Sequence, residues 1–377
     1  MPVWHTGATV NPIKNTSIVE MHAAMVLAGL LGPEPRFLQF EFDITSKCNL
    51  RCRMCYFSFD DVFYAKPVFL SPEHLEALLP WLPLAHTVTL SLGNEPLSSP
   101  HFSRILQQLA PYKVPNVTFY TNGTLLSPRI IDVMLETGVT QVCLSIDGAT
   151  RETFESIRRG ASFDRVVGNV LRLNDAKRAR GSRLPVLRLN AVMMRSNVYE
   201  MEALVEFAAS LEMEEINFCH MVAYAGLDME QESLSTIPEA WNQMLPLALA
   251  RARDLGIRVV AHPPLFGAPA DATTAPVRPI ADDLPRPYCL FPFFHVSMNA
   301  GGHVLACPFA HGEPAYGQLQ PGQSLEQIWF NDAFTALRDR ILAHDPPPMC
   351  QRCSYLANKY PNRPERFAPR VWADGVA

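Results

Sequence analysis

The chain has 377 residues, 48% of them apolar and 10% aromatic, with 32 basic side chains against 37 acidic ones and a formal charge of -5. This composition excludes disordered and collagen-like classes and is large enough for one big domain and a smaller one. No arm or stripe of Lys and Arg stands out, so neither nucleic acid nor a membrane is an expected partner.

Residues 1–36 read as an N-terminal extension. Ser17 with Glu20 three residues on is a capping-box pattern that opens a short helix. The apolar stretch Ala23 to Gly32 is about half of the ~20 residues that a spanning helix needs, and with Glu20 and Pro12 nearby it does not resemble a signal peptide. The expected compartment is the cytoplasm, where the nine cysteines stay reduced and need a role other than disulfides.

Strand-length apolar runs then alternate with helical patterns over residues 37–262: Phe37 to Ile44, Thr87 to Leu92, Val117 to Tyr120, Gln141 to Ile146, Val186 to Met193, Ile216 to Met221 and a weaker Ile257 to Ala261. Such βα repeats predict an α/β fold, a partial (β/α)6 TIM-like barrel. Ser71-Pro72-Glu73 and Ser127-Pro128 are helix starts, Gly138 is a helix stop, and Asn197 with Glu200 is a second capping box. From residue 263 to 288 the pattern dissolves into a Pro-rich linker. Residues 289–355 form a small C-terminal α+β unit of a size that usually needs a metal staple, and residues 356–377 are a tail without assigned structure.

Seven of the nine cysteines are grouped. Cys48, Cys52 and Cys55 follow the first strand directly, at the strand end where parallel barrels carry their chemistry. A zinc ion would want a fourth protein ligand, yet the nearest histidine is the distant His74. An iron-sulfur cube accepts three thiolates and leaves one iron open. Cys289, Cys307, Cys350 and Cys353 form the second group. There, Asn299 to Gly302 reads as a hairpin turn that brings Cys289 near Cys307, and four thiolates suit either a closed cube or zinc. Cys143 and Cys219 read as buried inert thiols, although Cys219, His220, His262, Asn190 and Asn217 also lie where a pocket would form.

The spacing Cys-x3-Cys-x2-Cys after the first strand of a partial barrel resembles the radical S-adenosylmethionine (SAM) superfamily. Met54 departs from the aromatic residue common before the third cysteine. Gly93-Asn94-Glu95-Pro96 resembles the family's Gly-Gly-Glu-Pro motif, which holds the ammonium of SAM. By that resemblance Glu95 takes the ammonium, and Asn94 replaces a glycine as the residue that best tolerates a left-handed backbone. Thr121, Asn122 and Ser145 fall where the family lines SAM, with Ser145 at the ribose; Asp147 either joins them or braces its loop. Arg159 resembles an arginine that pairs with the SAM carboxylate, and Arg158 leaves that alignment open by one residue.

The C-terminal unit resembles SPASM and twitch domains, including Gly317, Leu319 and the Ile328-Trp329 pair. The resemblance implies a [4Fe-4S] cluster that binds SAM, one auxiliary [4Fe-4S] cluster, a flavodoxin- or ferredoxin-type electron donor, and an enzyme that cleaves SAM to a 5′-deoxyadenosyl radical that abstracts hydrogen. Only 36 residues precede the first strand, too few for a peptide-binding module, so a small-molecule substrate is expected, to be oxidised, epimerised or rearranged. A peptide substrate is the alternative, and a non-catalytic iron-sulfur or zinc protein is the rival from another class.

Overall fold

In a computed structural model, the structure describes residues 17–27, 31, 34–91, 93–221, 223, 226–262, 289–308, 315–320 and 322–351. The expected linker, the tail and Cys353 lie outside the described residues.

Seven parallel strands carry the fold: β1 (Leu38–Phe42), β2 (Ala85–Thr89), β3 (Asn116–Thr121), β4 (Gln141–Ser145), β5 (Val186–Met193), β6 (Glu215–His220) and β7 (Arg258–His262). They neighbour one another in sequence order, and each crossover contains at least one helix, which is the expected (β/α)6 progression. In β5 burial alternates strictly: Leu187, Leu189, Ala191 and Met193 are sealed against the helices, while Arg188, Asn190 and Val192 are half-buried on the inner face. Barrel interiors are normally packed with bulky branched residues. Here Arg188 and Asn190 instead put polar, partly exposed side chains on the inner face of the sheet, hereafter the groove.

Local signals explain most of the helices. Ser127 Oγ accepts from the Ile130 N–H, and Gly138 ends that helix in the left-handed region with φ 75°. The Ser17 and Glu20 capping box is formed in both directions. Two expectations change. The helix opened by Ser71 stops at Glu76 and continues as a 3-10 segment, Leu79–Leu84, because Pro80 and Pro83 lack the N–H groups an α-helix would use. Asn197 and Glu200 make no capping box. The Asn197 side chain donates to the carbonyls of Asp147 and Val192, and Glu200 accepts from the Ala149 N–H and the Thr153 hydroxyl, so both residues clamp the loop after β4.

The C-terminal hairpin forms as expected from β8 (His295–Met298) and β9 (His303–Leu305), followed by β10 (Gly317–Gln318). It does not stand apart as a separate layer. β8 pairs in parallel with β1, so a ten-stranded sheet runs β10-β9-β8-β1-β2-β3-β4-β5-β6-β7. Buried Arg338 fastens this end: it donates to the carbonyls of Pro292 (2.8 Å) and Trp329 (2.6 Å) and lies over the Trp329 ring. Gly317 is required there, since a Cβ would come within 2.7 Å of Ile328 Cγ2. Among the described residues, no helix is long and apolar enough to cross a membrane.

Candidate active site

Cys48, Cys52 and Cys55 occupy the loop that leaves β1. Backbone bonds from Arg51 N–H to the Arg159 carbonyl (3.0 Å) and from Arg53 N–H to the Ile157 carbonyl (2.9 Å) pin it to the segment after the helix Arg151–Ile157. Asn49 fixes its other side, donating to Thr124 Oγ1 and accepting from Asn122 Nδ2. The three thiols share an apolar pocket with Leu50, Met54, Ile157, Met194, Met221 and Met229. Burial pushes Cys48 up to about 11 and Cys52 up to about 12, and raises Cys55 as well. Such thiols keep their protons until a metal displaces them.

Among the described residues, no three His, Cys, Asp or Glu side chains close around a single metal ion. Tetrahedral zinc would hold its sulfurs only ~3.8 Å apart. Three neighbouring thiols in an apolar pocket lined with methionine, with no fourth protein ligand among the described residues, fit a polynuclear iron-sulfur cluster.

At the end of β2, Glu95 is only 2% exposed. Its Oε1 accepts from the Thr121 hydroxyl (2.8 Å) and the Leu97 N–H (3.1 Å), and its Oε2 accepts from the Asn122 N–H (2.8 Å). Burial still pushes the carboxyl up to about 7, and it has no ion-pair partner among the described residues. Beside it, Asn94 Oδ1 is buried with no hydrogen-bond partner. Asn94 has no left-handed backbone, contrary to the expectation for that position; it replaces glycine by anchoring its Nδ2 to Asp43 Oδ2 (3.3 Å). Asp43, unmarked in the sequence, also accepts from the Gly93 N–H (3.2 Å). Two acceptors without a cation next to the thiols form a fitting seat for an ammonium group.

The other expected SAM contacts divide. Thr121 and Asn122 spend their polar groups on Glu95, Asn49 and Thr124. Asp147 is fully buried and braces its loop: Oδ1 accepts from the Val192 N–H (2.8 Å), and Oδ2 lies 2.8 Å from Arg158 Nε. Half-buried Ser145 ends β4 beside Asn190 and engages no described side chain. Of the two arginines, Arg158 Nη1 approaches Cys52 Sγ at 3.9 Å, whereas Arg159 is exposed. Burial opposes the charge on Arg158, but Asp147 and the thiols raise its pKa, so it stays cationic. Arg159 lines a cleft of about 640 Å³ on the outer side of the thiol loop, with Arg51, Cys52, Arg53 and Gly160.

In the C-terminal unit, Cys289 precedes the turn of helix Phe291–Phe294 that feeds β8, and Cys307 follows β9. The antiparallel register Ser297↔Leu305 puts both at the same end of the hairpin. Cys350 lies on the helix Pro348–Gln351, and all three thiols pack against the main core. Cys219 is half-buried beside Asn217 at 2.8 Å, while Cys143 is sealed.

Residues 42–208 match the model of the radical SAM superfamily, and residues 289–354 match that of an iron-sulfur cluster-binding domain, SPASM. A GTP 3′,8-cyclase of Synechocystis is 28% identical over 204 residues, which is 53% of this chain and 59% of that protein. The match thus spans less than two thirds of the cyclase. The Fe-coproporphyrin III synthase of Methanosarcina barkeri is 26% identical over 369 residues, covering 89% of this chain and 86% of its own. Among solved structures, Streptococcus suis SuiB bound to S-adenosylmethionine superposes with a TM-score of 0.64 at 15% identity, over 88% of this chain and 75% of SuiB. These domains imply a SAM-binding [4Fe-4S] cluster and an auxiliary iron-sulfur cluster. The thiol loop after β1 and the cysteines around the C-terminal hairpin coincide with the two matched domains, and the chain carries a radical SAM domain followed by a SPASM domain.

Proposed function

We propose that this enzyme binds SAM between Glu95 and the Cys48, Cys52 and Cys55 loop, cleaves it reductively, and abstracts hydrogen from a small molecule held in the barrel groove. The observation that carries the SAM site is the buried Glu95 carboxylate, which has three hydrogen-bond donors but no cation. An ammonium would ion-pair with it and satisfy Asn94 Oδ1. Ser145 at the end of β4 and Asn190, level with it on β5, supply polar groups for a ribose. When bound, the cluster supplies the electron that breaks the SAM sulfur to 5′-carbon bond and yields a 5′-deoxyadenosyl radical. The chain keeps water from that chemistry with Met194, Met221, Met229 and Leu50. Arg158, fixed by Asp147, places a positive charge beside Cys52 and so favours the reduced, more negative cluster.

The polar groove favours a small-molecule substrate, and the relative aligned along 89% of this chain is named for a small-molecule product. A peptide is the second reading: the mycofactocin maturase MftC of Mycobacterium tuberculosis is 27% identical over 48% of this chain. The outer cleft with Arg51, Arg53 and Arg159 suits an acidic electron donor of the flavodoxin or ferredoxin type, since it runs up to Cys52. Cys289, Cys307, Cys350 and Cys353 would hold the auxiliary cluster.

The test is anaerobic reconstitution followed by dithionite and SAM. Formation of 5′-deoxyadenosine that depends on Glu95 and Cys52 supports the reading; its absence from a protein with full iron content overturns it.

A further inference from the structure

The inner face of the barrel carries a charged step below the mouth. Strand register puts Tyr120, Cys143, Arg188, Glu215 and Arg258 at one level across β3 to β7. Arg188 uses Nε for Glu215 Oε1 at 2.8 Å, and Glu215 is shared with the exposed Arg258. Two guanidinium groups against one carboxylate leave a net positive charge. Neither terminal amine of Arg188 donates to a described residue, and its side chain is 18% exposed, so solvent reaches it. Glu41, the one acid on β1, lies 3.2 Å from His295 Nε2. The Cys143 thiol and the Tyr120 phenol, level with Arg188, add no competing charge, because Cys143 and burial raise the phenol and burial raises the thiol.

We infer that Arg188 is the anchor for an anionic oxygen group, a carboxylate or a phosphate, on the substrate. A guanidinium fork with two free amines matches either group bidentately. The anchor also acts as a ruler. Val192, whose N–H braces the Asp147 loop at the mouth, is four residues further along β5, about 13 Å at the rise of an extended strand. The substrate's reacting C–H bond would thus stand near the SAM seat while its anion reaches down the groove. This inference rests on the proposed reaction only for what happens at the mouth.

The test measures thermal melting of the reconstituted enzyme against benzoate, phenyl phosphate and neutral benzamide at matched ionic strength. Wild type should be stabilised by one or both anions and not by benzamide, the more effective anion naming the class. Arg188→Gln should raise the half-saturating anion concentration about tenfold or more, the usual worth of a charged hydrogen-bonded pair. Arg188→Lys, which keeps charge but not the fork, should fall between. Glu215 remains paired with Arg258 in both variants, which protects the fold. No anion effect in wild type, or the same effect in Arg188→Gln, overturns the assignment. Wild type that binds the anions through Arg188 yet forms no 5′-deoxyadenosine would overturn the proposed reaction and leave the anchor standing.

Discussion

Asp147 Oδ2 lies 2.8 Å from Arg158 Nε, and the two side chains, 0% and 9% exposed, join the end of β4 to the thiol loop. Arg158 reaches onward to Cys52 Sγ, and Asp147 Oδ1 holds the Val192 N–H of β5. One buried ion pair therefore fixes the thiol loop relative to the ends of β4 and β5. Burial lifts the Asp147 carboxyl above its ordinary value, and the guanidinium opposes that lift.

Removing one partner strands the other charge without water. Arg158→Gln or Asp147→Leu should cost on the order of 3–5 kcal/mol, read by urea unfolding, and Asp147→Leu with Arg158→Met together should cost less than either alone. Additive costs would show that the pair does not act as a unit.

Glu95 should make SAM binding pH-dependent. Its carboxyl is raised from 4.5 to about 7 by burial, so affinity for SAM should rise as pH increases through about 7 and the carboxylate forms. Without SAM the sign reverses. The raised group contributes stability that is present below 4.5 and lost as pH rises through about 7. Glu95→Gln should weaken SAM binding and flatten both profiles, measured by calorimetric titration and thermal melting on either side of pH 7.

Iron content should separate the two cysteine groups. Reconstituted protein should hold about eight irons per chain, and Cys52→Ala and Cys350→Ala should each lower this to about four. Only Cys52→Ala should lose the change in the cluster's paramagnetic resonance on adding SAM. Zinc in the second site would leave about four irons in the parent and in Cys350→Ala alike.

Reduction by a protein donor should depend on Arg159. Arg159→Glu reverses an exposed charge in the cleft that runs up to Cys52. The ratio of flavodoxin-driven to dithionite-driven 5′-deoxyadenosine formation should fall several-fold and lose much of its salt dependence. An unchanged ratio would move donor docking elsewhere.

The strands and the capped helices were legible because their signals are local: Ser127 and Gly138 sit in sequence where their hydrogen bonds form. The first cysteine group was legible for the same reason, as one loop carries all three thiols, and Cys289 and Cys307 of the second flank one hairpin. Asn197 and Glu200 misled because a capping pattern says nothing of stronger partners elsewhere. Here the loop after β4 offered buried carbonyls and N–H groups that outcompete the helix end. Arg158 and Arg159 are indistinguishable as letters. Which of them turns inward depends on the chain direction after Ile157 and on the buried carboxylate waiting at Asp147.

By itself, the sequence determined the order of βα units, the thiol spacing and the candidate SAM motifs, since each depends on residues close in the chain. Only the tertiary structure decided that β8 extends the barrel sheet through β1, that Arg158 rather than Arg159 faces the thiols, and that Arg188 pairs with Glu215 of the next strand. Those depend on pairings between residues far apart in the chain. In β5, Arg188 and Asn190 at alternate positions read identically whether they face bulk solvent or the interior of the barrel.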